Sequence, residues 1–248
     1  MDLKYQIVKP EEIDSEKRME MFLLMDYHYS NTIHDAFIHD LSSKTDVIML
    51  SDGRSGELVG FSTQKIFPYK IGEKEIMVLF SGDTIIRKDY WGSLQLSIAF
   101  GKLMADSILE HPDKEFHWML ISKGVRTFKF LPVYFIEYFP RHGIVTPEPV
   151  KLIMDTLAFD MYPLQYDKEN GVIRALPQGQ YLREEFQQLN QTGNADIDIF
   201  FTLNPGYVHG DELVCLTRLS FENLRPFIKR VLIKVLQLDL SSNFSDLK

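Results

Sequence analysis

The segment FSGDTIIRKDYWGSLQLSIAFGKLMADSILEHPDKEFHWMLIS, Phe80 to Ser122, decides how the chain folds. It opens as a strand, passes through a tight turn, and continues as a strongly apolar helix over residues 93–110. Leu94, Leu96, Ile98, Phe100, Leu103, Met104, Ile108 and Leu109 cover more than one face of that helix, which predicts burial against a sheet. His111 and Pro112 stop it, and residues 116–122 read as the next strand. Strand, helix and strand at this spacing predict a parallel, right-handed crossover. The turn before the helix lies where many proteins cradle a phosphate. It holds a single glycine, Gly92, beside Trp91.

On the N-terminal side, residues 5–8 read as a short strand, and Asp14 or Ser15 caps a helix with Met19, Phe22 and Leu23 toward the core. A second helix starts near Thr32 with Ile33, Phe37 and Leu41 as its apolar stripe. The period then changes. Strands at residues 47–50, 57–67 and 75–87, separated by turns at 52–56 and 71–74, form an antiparallel meander. Gly82 inside the third strand predicts a bulge or a close backbone approach. After Ser122 an aromatic helix begins near Val125 and is disturbed at Pro132. Residues 146–161 form another helix, 180–203 two short helices, 212–219 a strand, and the last stretch an amphipathic helix with Phe227, Ile228, Val231, Leu232, Val235 and Leu236 on its apolar face. The fold class is mixed α/β (α+β), a mostly antiparallel sheet with one central parallel βαβ crossover. The expected division is 1–145 as the main domain and 146–248 as a mostly helical extension with one or more strands.

The chain has 248 residues, 45% of them hydrophobic and 25% charged, which is globular-protein composition with length enough for a sizeable core. The net charge of −8 argues against nucleic acid or an anionic membrane as partner. The lone cysteine, Cys215, allows no internal disulfide and no Cys-rich zinc pattern. The charged N-terminus does not read as a signal peptide, and no apolar run is long enough to span a membrane, so a cytoplasmic protein is expected. His28, His34 and His39 with Asp26, Asp35 and Asp40 invite a metal reading. Their spacing matches no HExxH-like pattern, so no metal is expected. No GxSxG, P-loop or dinucleotide fingerprint is present.

The order of elements over roughly residues 3 to 140 resembles the GNAT acyltransferase superfamily. In TIIRKDYWGS, Ile86, Asp89, Tyr90 and Gly92 match that family's run of hydrophobic, any, Pro, acidic, Tyr, Arg, Gly, with Lys88 in place of Pro and Trp91 in place of Arg. The resemblance implies that the strands on either side of the central helix splay apart. The pantetheine of an acyl donor lies in the gap, and its pyrophosphate rests on amides at the helix start. Donor-binding residues are then Ile85, Ile86, Arg87, Trp91, Gly92, Ser93, Ser122, Lys123 and Arg126. The family's phosphate loop also carries glycines three and five residues after its Gln or Arg, where this chain has Leu94 and Leu96. Three readings follow: a donor on an acyl-carrier protein, an acyl-CoA with displaced pyrophosphate, or an inactive site.

Lys123, Arg126 and Lys129, read as one helical face, offer replacement charge for a phosphate or form a solvated basic face. The resemblance further implies Asp83 as general base and Tyr134 as the acid for the leaving thiolate, with Tyr138 a rival, and places His28 and His34 beside the acceptor. The implied activity is N-acyl transfer, such as that of an N-acetyltransferase, from acyl-CoA or acyl-carrier protein to the amine of a small molecule. A non-catalytic acyl-thioester or small-ligand binding module on the same fold is the alternative.

Overall fold

The computed structural model describes residues 2–187 and 191–236. The N-terminal half contains β1 (Leu3–Val8), α1 (Ser15–His28), β2 (Tyr29–Ser30), α2 (His34–Ser42), β3 (Asp46–Asp52), β4 (Leu58–Ile71), β5 (Lys74–Ile86), α3 (Gln95–Glu110) and β6 (Phe116–Ser122). The remainder contains α4 (Val125–Phe128), α5 (Phe130–Tyr134), α6 (Glu148–Met161), β7 (Tyr166–Asp167), β8 (Val172–Ile173), β9 (Tyr181–Leu182), α7 (Ala195–Leu203), β10 (Glu212–Leu219) and α8 (Pro226–Leu236). One sheet runs β1-β3-β4-β5-β6-β10-β8-β7, and β2 pairs separately with β9. Every pairing is antiparallel except β5 with β6, the parallel junction that α3 crosses. The fold is thus the mixed, mostly antiparallel GNAT-like arrangement.

Strand alternation divides the core. Met77 and Leu79 join α3, α5 and α8 on one face, whereas Ile76, Val78 and Phe80 pack against α6 on the other. In β3, Val47 and Met49 meet α1 and α2, while Ile48 and Leu50 turn toward Leu96 and Ala99 of α3. The C-terminal residues do more than cover this sheet. β10 pairs with the whole length of β6, and β8 and β7 extend the sheet beyond it.

Several predicted faces shift. In α1 the inward residues are Met21, Leu24, Met25 and His28, so Met19 and Leu23 are exposed. The true stripe ends on a histidine, which a search for apolar residues passes over. Ile33 precedes α2 and is exposed, while Phe37 and Leu41 are buried as expected. Leu94 caps α3 instead of joining its buried side. The aromatic helix after Val125 is two short pieces joined at Lys129. Residues 181–182 form a strand because β2 offers them a partner, and α7 is the one α-helix among the described residues between 180 and 203. On α8, Ile228 and Leu232 are buried and Phe227 is exposed, while the side chains of Val235 and Leu236 lie outside the described residues.

Gly60, opposite Ile86, shows how tightly β4 approaches the end of β5. A Cβ there would stand 2.8 Å from the Ile85 carbonyl oxygen and 3.2 Å from Leu50 Cδ1. Gly60→Ala must displace backbone, and is expected to lower the unfolding free energy by about 1–3 kcal/mol. A shifted midpoint in urea denaturation with an unchanged slope checks this.

Candidate active site

The parallel ladder between β5 and β6 ends at Ser81 and Leu120. Here β5 carries one extra residue. Ser62 faces Thr84 and Gln64 faces Ser81, so Gly82 and Asp83 together oppose Thr63. The predicted bulge therefore exists, and Gly82 is favoured by close approach. A Cβ there would meet Thr63 Oγ1 at 2.6 Å and Lys44 Nζ at 3.1 Å. Beyond the bulge β5 stays with β4, the Arg87 amide donating to the Val59 carbonyl. Alternation along an antiparallel ladder then sends the polar groups of Thr84 and Ile86 to the opposite edge, which faces the gap. The Ile86 carbonyl on that edge accepts the Trp91 Nε1–H at 2.7 Å.

The gap opens into a cavity of about 780 Å³. Of the residues singled out by sequence, Asp83, Ile85, Ile86, Trp91, Gly92, Ser93, Lys123, Arg126, Tyr134 and His28 line it. Three others are placed elsewhere. Arg87 pairs with Glu57 at 2.6 Å and approaches Asp89, because β5 pairs with β4 there and turns this side chain outward. Ser122 is buried and donates to the Gly124 carbonyl. His34 packs edge-on against Phe22 on the outer side of α2. Tyr138 is buried in the core, so of these two rivals Tyr134 is the one that lines the cavity.

One end of the cavity is a row of alternating charges. Asp40 holds Lys44 at 2.7 Å, and Lys123 holds Glu212 at 2.9 Å, with Asp83 between the two lysines in the electrostatic sense. Burial, and then the Asp40 carboxylate, push the Asp83 carboxyl up to about 6 against the pull of Lys123 and Lys44. Burial pulls the Lys123 ammonium down, but Glu212, Tyr29 and Asp83 together outweigh it and hold the group at about 12. Burial also raises Tyr29 to about 12. Sequence reading missed Lys44, Glu212 and Tyr29. Only Asp40 and Lys44 carried a readable signal, as an i, i+4 ion pair.

The other end holds the start of α3 and the basic residues after β6. Lys123, Arg126 and Lys129 do not share a helical face, because Lys123 precedes α4 and turns inward to Glu212. Arg126 instead lies 3.6 Å over the Trp91 ring, and its Nη1 donates to the Phe186 carbonyl at 2.8 Å. Lys88 Nζ also approaches that ring. Two cations thus gather around this tryptophan. Tyr134 Oη and Ser97 Oγ share a hydrogen bond of 2.6 Å, and burial raises the tyrosine pKa. His28 is buried under Phe186, with Nδ1 against the Leu24 carbonyl; burial lowers its pKa and favours the neutral ring.

Among the described residues no group of three or more His, Cys, Asp or Glu is placed to hold a metal ion. No described helix is long and apolar enough to cross a membrane.

Asp83 has a measurable cost. An ordinary aspartate ionises near 3.8 and this one near 6. Between those values the folded protein keeps a proton that the unfolded chain has lost, so stability falls as pH rises through the window and stays lowered above it. Asp83→Asn removes that ionisation. Its stability relative to wild type is expected to rise between about pH 4 and pH 6 and then level, by at most about 3 kcal/mol. Urea denaturation across the range reads the difference.

No protein-family model matches the chain, and no curated protein matches it in sequence. Solved structures resemble it distantly. A conserved protein of Enterococcus faecalis, described as a probable N-acyltransferase, is 14% identical with a TM-score of 0.41, over 64% of this chain and 44% of that one. Saccharomyces cerevisiae N-myristoyltransferase with bound myristoyl-CoA is 9% identical with a TM-score of 0.38, over 49% of this chain and 29% of that one. A GNAT family N-acetyltransferase from Escherichia coli in complex with CoA is 13% identical with a TM-score of 0.36, over 52% and 69%. This chain thus matches less than half the length of the first two. Its GNAT-like fold is seen in its own topology: an antiparallel β1-β3-β4-β5 half, one parallel β5–β6 junction crossed by α3, and strands that part beyond Ser81 and Leu120.

Proposed function

We propose that this chain is an N-acyltransferase that moves an acyl group from an acyl thioester, on CoA or an acyl-carrier protein, to the amine of a small molecule. One observation carries the reading. Among the described residues the β5 edge from Gly82 to Ile86 has no strand partner on its β6 side, and it opens into a cavity that has Asp83 and Tyr134 on its walls. The exposed amide and carbonyl groups of such an edge suit a pantetheine arm, which carries amides of its own.

Charge supports the same assignment. With Asp83 ionised, the row Asp40, Lys44, Asp83, Lys123 and Glu212 carries one net negative charge, which suits an arriving ammonium. The opposite end offers Arg126, Lys129 and the positive end of α3 to donor phosphate. Asp83 would take a proton from the acceptor ammonium, directly or through water, and the freed amine would attack the thioester carbonyl. Collapse of the tetrahedral intermediate breaks the C–S bond and forms the amide as the nitrogen gives up its second proton, which passes to solvent or back to the Tyr134 oxygen once that group has protonated the thiolate. Tyr134, kept protonated by burial, would donate its proton to the departing thiolate. Orientation by the strand edge and its amides supplies the rest.

The test uses acetyl-CoA and butyryl-CoA with a panel of primary alkylamines and detection of released thiol. Turnover is expected, with kcat/KM rising through about pH 6 as Asp83 ionises. Asp83→Asn and Tyr134→Phe should each lower kcat by about 100-fold, while free CoA still binds. Binding without turnover across the panel would instead favour a thioester-binding module. Calorimetric titration with free CoA separates the donor contacts from the chemistry. Arg126→Ala is expected to weaken that binding by about tenfold through loss of a charge-assisted contact.

A further inference from the structure

We propose that a second, apolar cavity behind Ser97 and Tyr134 receives the acyl tail of the donor and sets the length of chain the protein accepts. The proposal rests on the thioester-donor reading above. This cavity, of about 50 Å³, lies between the sheet and the layer of α3, α5 and α8. Its wall includes Phe100, Met104, Trp118, Leu120, Ile228 and Leu232. It is not isolated. Thr84, Leu96, Ser97, Thr127, Phe130 and Tyr134 line both it and the main cavity, so the two spaces meet at the hydroxyl pair of Ser97 and Tyr134.

Polar groups do reach the second cavity, but they are committed to one another. Trp118 Nε1 donates to Ser81 Oγ at 2.8 Å, and Ser81 Oγ donates to Gln64 Oε1 at 2.6 Å. Gln64 Nε2 donates to Ser62 Oγ at 2.7 Å, and that hydroxyl shares a 2.7 Å hydrogen bond with Thr84. A buried water needs two to four polar partners, and a cavity without them stays dry and takes apolar guests. The position also fits. In the proposed reaction the thioester sulfur stands at the Tyr134 hydroxyl, which is the boundary between the two spaces, so an acyl chain leaving the carbonyl has the apolar cavity directly ahead. One water-sized group needs about 10–15 Å³ of such space, so the cavity holds roughly three to five methylene-sized groups. The donor class is therefore a medium-short acyl thioester, longer than acetyl and far shorter than palmitoyl.

Calorimetry with free CoA and with acetyl-, butyryl-, hexanoyl- and palmitoyl-CoA on the full chain tests this. Affinity is expected to rise by up to about fourfold per added methylene from acetyl to hexanoyl, and to gain nothing further with palmitoyl. Ile228→Phe, which fills the cavity, should flatten the rise. Phe100→Leu, which removes a ring tilted against Trp118 with 4.6 Å between ring centroids, should move the preferred length upward. The unmodified protein alone decides the matter if either variant fails to fold. Equal affinity from free CoA to hexanoyl-CoA, or a continuous rise to palmitoyl-CoA, overturns the tail site while leaving the donor reading intact. No binding of free CoA or of any of the acyl-CoAs overturns the tail site together with CoA as the donor's carrier.

Discussion

Gly82 and Asp83 of β5 oppose the single residue Thr63 of β4, and the geometry of the cavity follows from that extra residue. A bulge bends its strand and sharpens the local twist. Here it falls immediately after the last parallel pair, Ser81 with Leu120, so the strand turns with β4 and away from β6 at the point where α3 has already made the crossover. The gap is thus created by the ladder itself and needs no special loop. A side chain at the first bulge position would collide with the Thr63 hydroxyl and crowd Lys44, which favours glycine there. The second position carries the carboxylate into the cavity between two lysines that are each already paired.

The central crossover was legible because it is a local matter. The apolar density of residues 95–110 and the turn residues on either side required nothing from the rest of the chain. β6 and β10 were read with their observed bounds, and the bulge was read from Gly82. Asp83, Trp91, Arg126 and Tyr134 were found through their places in that crossover and the helix after it, and all four line the cavity. What escaped was set by distant partners. Residues 181–182 are a strand only because β2 pairs with them, and Phe186 reaches the cavity only because Arg183 is tied to the carbonyls of Asp26 and His28. Lys123 looked like part of a basic face until Glu212, 89 residues later, drew it inward.

The end of the cavity at the start of α3 is built by one physical device where the sequence comparison expected another. Backbone approach at glycines and a guanidinium over an indole both concentrate positive potential at a helix start, but they constrain the chain differently. Leucines at 94 and 96 leave Leu94 exposed as the cap and Leu96 buried in the core below α3, so the turn is anchored by packing. Trp91 is held at its indole N–H by Ile86, and Arg126 is held by the Phe186 carbonyl. The charge is thus supplied by a side chain fixed from three separate segments of the chain.

The pairing of β10 along the full length of β6 bears on how the polypeptide reaches this state during synthesis. β6 is complete at Ser122, but its second neighbour begins at Glu212. About ninety residues must emerge in between, which takes a ribosome roughly 5–20 s. Throughout that interval the strand at the centre of the finished sheet is an edge, with apolar side chains such as Trp118 and Leu120 beside unpaired backbone groups, the combination that invites pairing with another chain. A chaperone hold on the nascent chain, or early docking of α3 over one face, would matter most in that window.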